Sequence, residues 1–286
     1  MRDRNKITIS NPIINARFSL PANGVDLIML CLSNITKEDY ELKEVVFDIT
    51  KLEQRTNKMW NSIELRKLVV KLADSSILIN TEVEKWEVFN WFEYFTYDKG
   101  ICTCKLNSKI EDYLLMLERE CKVIDIKYIL CLNTSYTKRV YMMMKQMQNF
   151  GQRVMTVDEI TESLKTPTSM SIVGHLKEKI LDKAVKDINT HTDISISYTD
   201  RKAGKKIIGF KFSIKSNPDT LDGFKDMIKL SYTDKHLATD GVGKIAYSAT
   251  TKEFYYIDAH KKINTDRMWN KLFTNRETII KKLGEK

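Results

Sequence analysis

Four basic residues share one side of a predicted helix, and a row of cations is suited to binding a polyanion. We predict this helix over residues 171–189, because its apolar residues recur at helical spacing. On a helical wheel with about 100° per residue, the cations lie together: His175, Lys179, Lys183 and Lys186. The apolar residues lie opposite them: Ile180, Leu181, Ala184, Val185 and Ile188. One face can therefore pack on a core while the other enters a DNA major groove, which admits one α-helix.

Further candidates for DNA contact flank this helix or occupy a matching position earlier in the chain. Ser169 and Ser171 precede or open the helix, where hydroxyl and backbone N–H groups can reach a phosphate. Arg153 lies in the turn before the preceding short helix. A basic hairpin loop over residues 199–206 adds Arg201, Lys202, Lys205 and Lys206. The start of a long helix in the first half of the chain adds Asn57, Lys58 and Asn61.

The charge distribution supports the same interpretation. The net charge is +9, of which residues 1–128 contribute −1, residues 129–216 contribute +7 and residues 217–286 contribute +3. A basic middle segment after a near-neutral first half indicates one module that faces a polyanion. A membrane surface or mere solubility would also explain a basic face. Asp182 and Asp187 flank the basic side of the helix, so a solvated face stays open as the alternative.

Other chemistries lack the residues that they require. The five cysteines are odd in number and scattered, which predicts buried thiols rather than a disulfide framework. Cys102 and Cys104 are one residue apart and have no nearby histidine, so we predict no metal site. A rolling-circle nickase needs a His-x-His pair beside a nucleophilic tyrosine, and no such pair occurs. The phosphate-binding pattern GxxxxGK[ST] is also absent from the sequence. We therefore predict a protein that is not an enzyme and takes no cofactor.

Hydropathy predicts a cytosolic protein with no membrane partner. No window approaches 18 uncharged apolar residues, the length that a membrane-spanning helix needs. The first ten residues lack the apolar segment of a secretory signal.

The elements around the basic helix follow the order of a winged helix. A helix is predicted over 135–150 with Ser135 as N-cap, and a short helix over 156–164 opens with the capping-box pair Thr156 and Glu159. The long helix over 171–189 follows, and then two alternating strands over 193–198 and 206–214. The two helices would form a helix-turn-helix and the hairpin its wing.

The first half repeats this order more loosely. We predict a loosely attached stretch over residues 1–16, a helix from about Gly24, a short helix from Asp48 and a long helix over 57–73. The apolar stripe predicted on that long helix comprises Met59, Ile63, Leu68, Val69 and Leu72. Strands are predicted over 76–80, 85–95 and 100–106, and a helix over 110–120. Core positions are predicted for Trp86, Trp91 and the run from Tyr141 to Met144.

We therefore predict an α+β fold with two tandem winged-helix domains and a small C-terminal α/β appendage. The predicted bounds are residues 1–128 for the first domain, 129–216 for the second and 217–286 for the appendage. The appendage would contain a hairpin formed by residues 244–248 and 253–258, and a helix over 266–283.

At the residue level, part of the chain resembles a known family. The stretch HLKEKILDKAVKDINTHTD over residues 175–193 is similar to a pattern in the second winged-helix domain of iteron-plasmid replication initiators. The opening Tyr136-Thr-Lys-Arg-Val-Tyr141, the strand ISISY over 194–198, the Gly204 turn and the strand IGFKF over 208–212 also resemble that domain. The resemblance covers residues 128–216 specifically and residues 17–127 more weakly. The family has a large aromatic residue where this chain has His175-Leu176, and Asp182 lies on the DNA-facing side.

The resemblance implies sequence-specific binding of double-stranded DNA at repeated origin sequences, the iterons. It further implies opening of an AT-rich region, recruitment of host replication initiator and helicase-loading proteins, and plasmid copy control. A homodimer, formed through the first domain and in equilibrium with the monomer, would repress the protein's own gene. The main major-groove helix would carry His175, Lys179, Lys183 and Lys186.

Two other functions stay open on the sequence. A winged-helix transcriptional repressor with no role in initiation would use the same DNA-binding parts. A module that only binds other proteins would leave the charge of residues 129–216 unexplained.

Overall fold

A computed structural model describes residues 5–36, 39–82, 84–115, 117, 120–220, 222–223, 243–248, 253–258, 269, 273–274, 276–277 and 280. The chain forms two compact units, Met1–His191 with Ile196–Ile214, and Thr192–Ser195 with Lys215–Lys286. The first unit contains two winged helices in succession, which confirms the predicted α+β class.

The first winged helix is built around a three-stranded sheet in the order β2–β6–β5. An additional two-stranded sheet, β3–β4, lies in the sequence between the long helix α4 and the strands of the wing. Its elements are β1 (Lys6–Ser10), α1 (Asn11–Asn15), α2 (Ala22–Leu32), β2 (Val45–Asp48), α3 (Ile49–Thr56), α4 (Ser62–Ala73), β3 (Ser76–Glu82), β4 (Lys85–Asn90), β5 (Phe92–Asp98) and β6 (Ile101–Leu106).

The second winged helix has a three-stranded sheet in the order β8–β10–β9. Its long helix consists of two α-helical segments joined by a π turn, Lys177–Leu181. The elements are β7 (Cys121–Asp125), α5 (Ile126–Leu130), α6 (Ser135–Gln146), β8 (Gln152–Thr156), α7 (Val157–Ser163), α8 (Val173–Leu176), α9 (Asp182–His191), β9 (Ile194–Ala203) and β10 (Lys206–Ser216).

Side-chain caps fix where several of these helices begin. Asp48 accepts a hydrogen bond from Thr50 N ahead of α3, and Thr134, rather than Ser135, accepts one from Thr137 N ahead of α6. Thr156 and Glu159 form the predicted capping box of α7. These caps satisfy backbone N–H groups that have no partner inside the helix.

Most of the predicted core residues are buried. Tyr141, Met142, Met143 and Met144 are all buried on α6, and Trp91 packs edge-to-face on Phe18 with ring centroids 5.1 Å apart. Trp86 is 64% exposed, so its predicted core position was wrong. Among the described strands, β4 pairs with β3 alone, and a two-stranded sheet leaves one face uncovered.

The cysteines are free thiols, in agreement with the prediction that no disulfide framework forms. Cys31, Cys102 and Cys104 are buried and Cys121 is half-buried, whereas Cys131 is exposed. Burial raises the pKa of Cys102 to about 12, which keeps this thiol protonated and unreactive at neutral pH.

Several local predictions for the first half were wrong. The start of the chain is not loose over its described residues, because β1 pairs antiparallel with β7 from Lys6↔Asp125 to Ser10↔Cys121. The helix predicted over 57–73 begins at Ser62, after Met59, which is 97% exposed. Of the predicted stripe, Leu68 and Leu72 are buried on α4 together with Leu65, whereas Ile63 is exposed and Val69 is half-buried.

Other differences concern segments whose partners are distant in the sequence. The strand predicted over 85–95 is interrupted at Trp91. In place of the helix predicted over 110–120 the described residues form a 3-10 turn, Ser108–Tyr113, and residues 116, 118 and 119 lie outside the described part of the chain. Strand β8 was not predicted, because its five residues gain their hydrogen bonds from β10, more than fifty residues later.

The second unit contains an antiparallel hairpin of β11 (Gly243–Ser248) and β12 (Glu253–Asp258), paired from Gly243↔Asp258 to Ser248↔Glu253. This confirms the hairpin predicted for the appendage. A helix is predicted over 266–283, and the residues described there are all helical: Trp269, Phe273, Thr274, Arg276, Glu277 and Ile280. The rest of this predicted helix lies outside the described residues.

Candidate nucleic-acid interface

The long helix of the second winged helix presents one buried and one exposed face. Its buried face is apolar and consists of Leu176, Ile180, Leu181, Ala184 and Ile188. Lys179, Lys183 and Lys186 are exposed, and we call them the lysine row. His175 is half-buried, with Nδ1 3.1 Å from the carbonyl oxygen of Ser169. The structure therefore brings the three predicted lysines onto one exposed surface and turns the histidine toward the preceding turn.

Ser169 and Ser171 lie in a 3-10 turn, Thr168–Ser171, ahead of the helix. Both residues are exposed, and the Ser171 hydroxyl donates a hydrogen bond of 2.7 Å to the Thr168 carbonyl oxygen. The helix itself begins later than predicted, at Val173. The two serines thus lie at the entrance to the helix, where they remain candidates for phosphate contact.

The wing is longer and tighter than predicted. Strand β9 extends to Ala203 and β10 begins at Lys206, so only Gly204 and Lys205 form the turn. Gly204 has φ 60°, a left-handed conformation that glycine adopts at little cost. The four predicted wing cations are all exposed: Arg201, Lys202, Lys205 and Lys206.

Arg153 does not lie in a turn but on β8, and its guanidinium is bound within the protein. It donates to the Met143 carbonyl oxygen at 3.1 Å, to Gln146 Oε1 at 2.9 Å and to Asn15 Oδ1 at 2.9 Å. Burial lowers the pKa of Arg153, and the negative charge of the nearby Glu159 opposes this decrease. These contacts link α6 to the end of α1, so we do not include Arg153 in the proposed DNA-facing set.

Two of the three candidates from the first winged helix, Lys58 and Asn61, have contacts within the protein. Lys58 Nζ lies 2.7 Å from the buried carboxylate of Asp26. Asn61 is the N-cap of α4 and accepts a hydrogen bond of 2.8 Å from Glu64 N. Asn57 is exposed and ends α3 with φ 51°. We therefore keep Asn57 as the candidate for DNA contact in the first winged helix.

Four residues beside the lysine row were missed as a group by the sequence analysis. Lys177 Nζ lies 3.0 and 3.1 Å from the two carboxylate oxygens of Asp200 on β9. The Tyr198 hydroxyl, also on β9, donates a hydrogen bond of 2.5 Å to Asp182 Oδ1. Burial and this bond raise the pKa of Tyr198 above its usual range, so the hydroxyl stays protonated and remains a donor. The available signal was Lys177, which falls on the apolar side of an ideal helical wheel.

Buried cations join the two winged helices. Arg139 on α6 donates hydrogen bonds to the carbonyl oxygens of Ala16 at 2.6 Å and Ser163 at 3.4 Å. Its guanidinium carbon Cζ lies 3.8 Å from the centroid of the Phe18 ring. Burial, together with the nearby Arg153, lowers the pKa of Arg139 to about 9. Arg17 also pairs with Glu162 at 2.5 Å. These contacts connect residues 16–18 of the first winged helix to α6 and α7 of the second.

A cleft of about 390 Å³ opens at this junction, next to the turn that carries Ser171. Its polar lining includes Arg17, Ser76, Lys165, Thr168 and Ser171. Across the described part of the chain, no group of three or more His, Cys, Asp or Glu side chains is placed to hold a metal ion. Every described helix is too short or too polar to cross a lipid bilayer.

Comparisons with known proteins match most of the first unit. Residues 6–145 match the family model described as Initiator Replication protein, WH1, and residues 156–214 match the model described as Initiator Rep protein, WH2. The crystal structure of Pi initiator protein in complex with iteron DNA is 20% identical, with a TM-score of 0.60. The match covers 75% of this chain and 98% of that chain, and shows a shared fold. A structure of domains 2 and 3 of RctB is 9% identical, covers 68% of this chain and 82% of that chain, and has a TM-score of 0.39.

Proposed function

Because the chain belongs to the initiator replication protein family, we propose that it initiates plasmid replication by binding iterons in double-stranded DNA. The observation that carries this proposal is the lysine row, exposed on a helix whose other face is in the core and which leads into a basic wing. The similar Pi initiator protein was solved with iteron DNA, which supports DNA as the partner. No step of this proposal requires enzymatic chemistry or a cofactor.

In the proposed complex the long helix enters the major groove. Lys179 and Lys183 would read base edges there, since an ammonium group can donate to guanine O6 and N7. Ser169, Ser171, His175 and Lys186 would contact the phosphates that border the groove. The wing would neutralise the backbone beside this site through Arg201, Lys202, Lys205 and Lys206.

We assign residues 1–128 to a first domain for dimerisation and accessory DNA contact, with Asn57 as its candidate contact. Residues 129–216 form the main reader and residues 217–286 the appendage. Two linked readers raise the apparent affinity, because the second binding event takes place at high effective concentration. Contacts on separate parts of a duplex are also easier to make when the DNA bends.

The further steps extend this binding activity. Bound protein would help to open the origin and recruit host replication initiator and helicase-loading proteins, in the bacterial cytoplasm. A homodimer in equilibrium with the monomer would repress the protein's own gene and so contribute to copy control.

A footprint on the upstream region of the protein's own plasmid tests the proposal. We expect protection of regularly spaced repeats by the unmodified protein. Lys179→Ala with Lys183→Ala should weaken this binding by about thirtyfold or more, because each of the two base contacts contributes roughly 1–3 kcal/mol and about 1.4 kcal/mol corresponds to a tenfold change. The control is Lys6→Ala with Lys109→Ala, which removes two exposed lysines elsewhere and should keep the protection pattern.

Each contrary outcome has its own meaning. Protection of a single inverted repeat would identify a transcriptional repressor instead. Absence of protection at every salt concentration would mean that the lysine row is only a solvated face.

A further inference from the structure

The long helix contains a π turn at the start of the lysine row. This turn spans Lys177–Leu181, between α8 and α9, and Lys179 lies within it. π turns are rare in proteins and are often found at functional sites.

The cause lies partly in the spacing of the buried residues. Leu176, Ile180, Ala184 and Ile188 recur every four residues and are all buried. In an ideal α-helix a step of four residues overshoots a full turn by about 40°, so such a face drifts around the helix axis. The wider π turn offsets this drift and keeps the face on the core. It also sets the angle between Lys179, within the turn, and Lys183, beyond it.

The two ends of the π turn are both attached to strand β9. Lys177, the first residue of the turn, forms the ion pair with Asp200, and its Nζ lies 5.7 Å from the Tyr198 ring centroid. Asp182, the first residue after the turn, accepts the hydrogen bond from Tyr198. Tyr198 and Asp200 are two residues apart on one strand, so their side chains leave the same face. We call the Lys177–Asp200 pair and the Asp182–Tyr198 bond the β9 contacts.

We propose that Tyr198 and Asp200 are positioning residues, which hold the π turn and thereby set the angle of the lysine row relative to the wing. This inference rests on the proposed function, because the row is taken to read DNA. Its consequence is sequence discrimination, since base edges must be met at fixed positions whereas phosphates recur along any duplex.

The negative charges of the β9 contacts should affect specific and non-specific DNA affinity differently. Asp182 and Asp200 are acidic groups on a surface that faces a polyanion, and each is directed to a protein partner. Replacement of Asp200 by asparagine removes a negative charge, which strengthens attraction to any DNA. It also weakens the attachment of Lys177, which lowers recognition of the correct sequence. Specific and non-specific affinity should therefore change in opposite directions.

The test measures the dissociation constants for a duplex that carries the footprinted repeats and for a scrambled duplex of equal length and composition. For Asp200→Asn we expect tighter binding of the scrambled duplex, by about twofold to threefold, as one unfavourable charge is lost. The ratio of specific to non-specific affinity should fall by about tenfold, comparable to one lost base contact. The matched control is Asp187→Asn, which removes one negative charge from the same helix and should leave this ratio within about twofold.

Two further variants separate positioning from folding. Lys177→Glu combined with Asp200→Lys restores an ion pair with reversed polarity, and should return the ratio to within about threefold of the unmodified protein. Tyr198→Phe deletes a single oxygen and releases Asp182, and should also lower the ratio. Circular dichroism and thermal melting establish that each variant is folded.

The outcomes distinguish the two proposals. If the unmodified protein discriminates between the duplexes but folded Asp200→Asn and Tyr198→Phe variants keep its ratio, the positioning role is refuted and the proposed function stands. If Asp200→Asn is not folded, Tyr198→Phe and the charge-reversed pair decide between the same two results. If the unmodified protein itself does not discriminate, the proposed function fails and this inference fails with it.

Discussion

The buried carboxylate of Asp26 forms ion pairs with lysines of both winged helices. It lies fully buried on α2, with one oxygen 2.7 Å from Lys58 Nζ and the other 2.7 Å from Lys138 Nζ on α6. Lys138 is fully buried as well, and this burial lowers its pKa, although Asp26 opposes the shift. The sequence suggested Lys58 as a DNA contact on residue type alone, because its partner Asp26 lies 32 positions away.

Replacement of Asp26 by asparagine should strongly destabilise the protein. The change leaves two lysines without their counter-charge, and we expect the free energy of unfolding to fall by about 3–5 kcal/mol. The matched control is Glu64→Gln, whose partner Lys67 is exposed, and which should cost less than about 1 kcal/mol. Urea unfolding measures both values, and equal losses in the two variants would contradict the prediction.

The same variant should show a pH dependence. Without Asp26 the pKa of buried Lys138 falls further below its ordinary value of 10.5. Between the lowered pKa and 10.5, the unfolded chain holds a proton that the folded chain has released, so stability rises with pH. The defect of Asp26→Asn relative to the unmodified protein should therefore shrink as the pH increases toward 10.5. A defect that stays constant in urea unfolding across this range would count against a buried, charged Lys138.

Among the helices and strands, the most accurate predictions rested on patterns between residues that are near one another in the chain. The Thr156 and Glu159 pattern predicted the start of α7, and Thr156 Oγ1 accepts from Glu159 N at 3.1 Å while Glu159 Oε2 accepts from Thr156 N at 2.6 Å. Alternation predicted β9 and β10, whose inward residues are buried. Both signals involve residues that are close in the chain, so the sequence displays them directly.

Loss of the capping box should weaken the helix-turn-helix. Thr156→Ala removes the acceptor for an N–H at the start of α7, and we expect a loss of about 1 kcal/mol in the free energy of unfolding. Thr156→Ser keeps the hydroxyl and should restore most of this loss. Thr161→Ala, within the same helix, should cost less than about 0.5 kcal/mol, because alanine favours helices. Thermal unfolding compares the three variants, and equal effects of Thr156→Ala and Thr161→Ala would argue against a capping role.

At the scale of the whole molecule, seven exposed cations lie on the lysine row and the wing: Lys179, Lys183, Lys186, Arg201, Lys202, Lys205 and Lys206. They belong to residues 129–216, the segment with a net charge of +7. If all seven neutralise phosphates, the logarithm of the affinity falls linearly with the logarithm of the salt concentration. The magnitude of this slope is then about 6, which is its upper limit for these seven cations.

Removal of two wing cations should change this slope without changing sequence preference. For Lys202→Ala with Lys206→Ala we expect the slope to decrease in magnitude by about 2, with similar losses for repeated and scrambled duplexes. Salt titrations of DNA binding provide the measurement, with Lys6→Ala and Lys109→Ala as the control pair. An unchanged slope would place the wing away from DNA.

Residue types and their spacing were sufficient to predict the two winged helices, the basic helix and wing, the capping box and the hairpin of the second unit. These features depend on periodicity and on hydrogen bonds between near neighbours, which local residue types specify. Other features became visible in the folded chain alone: the pairing of β1 with β7, the contacts of Lys58 and Arg153 inside the protein, and the attachment of the π turn to β9. Each of these contacts joins segments that are distant in the sequence. A residue's type shows what it can bind, whereas the folded chain decides which partner lies within reach.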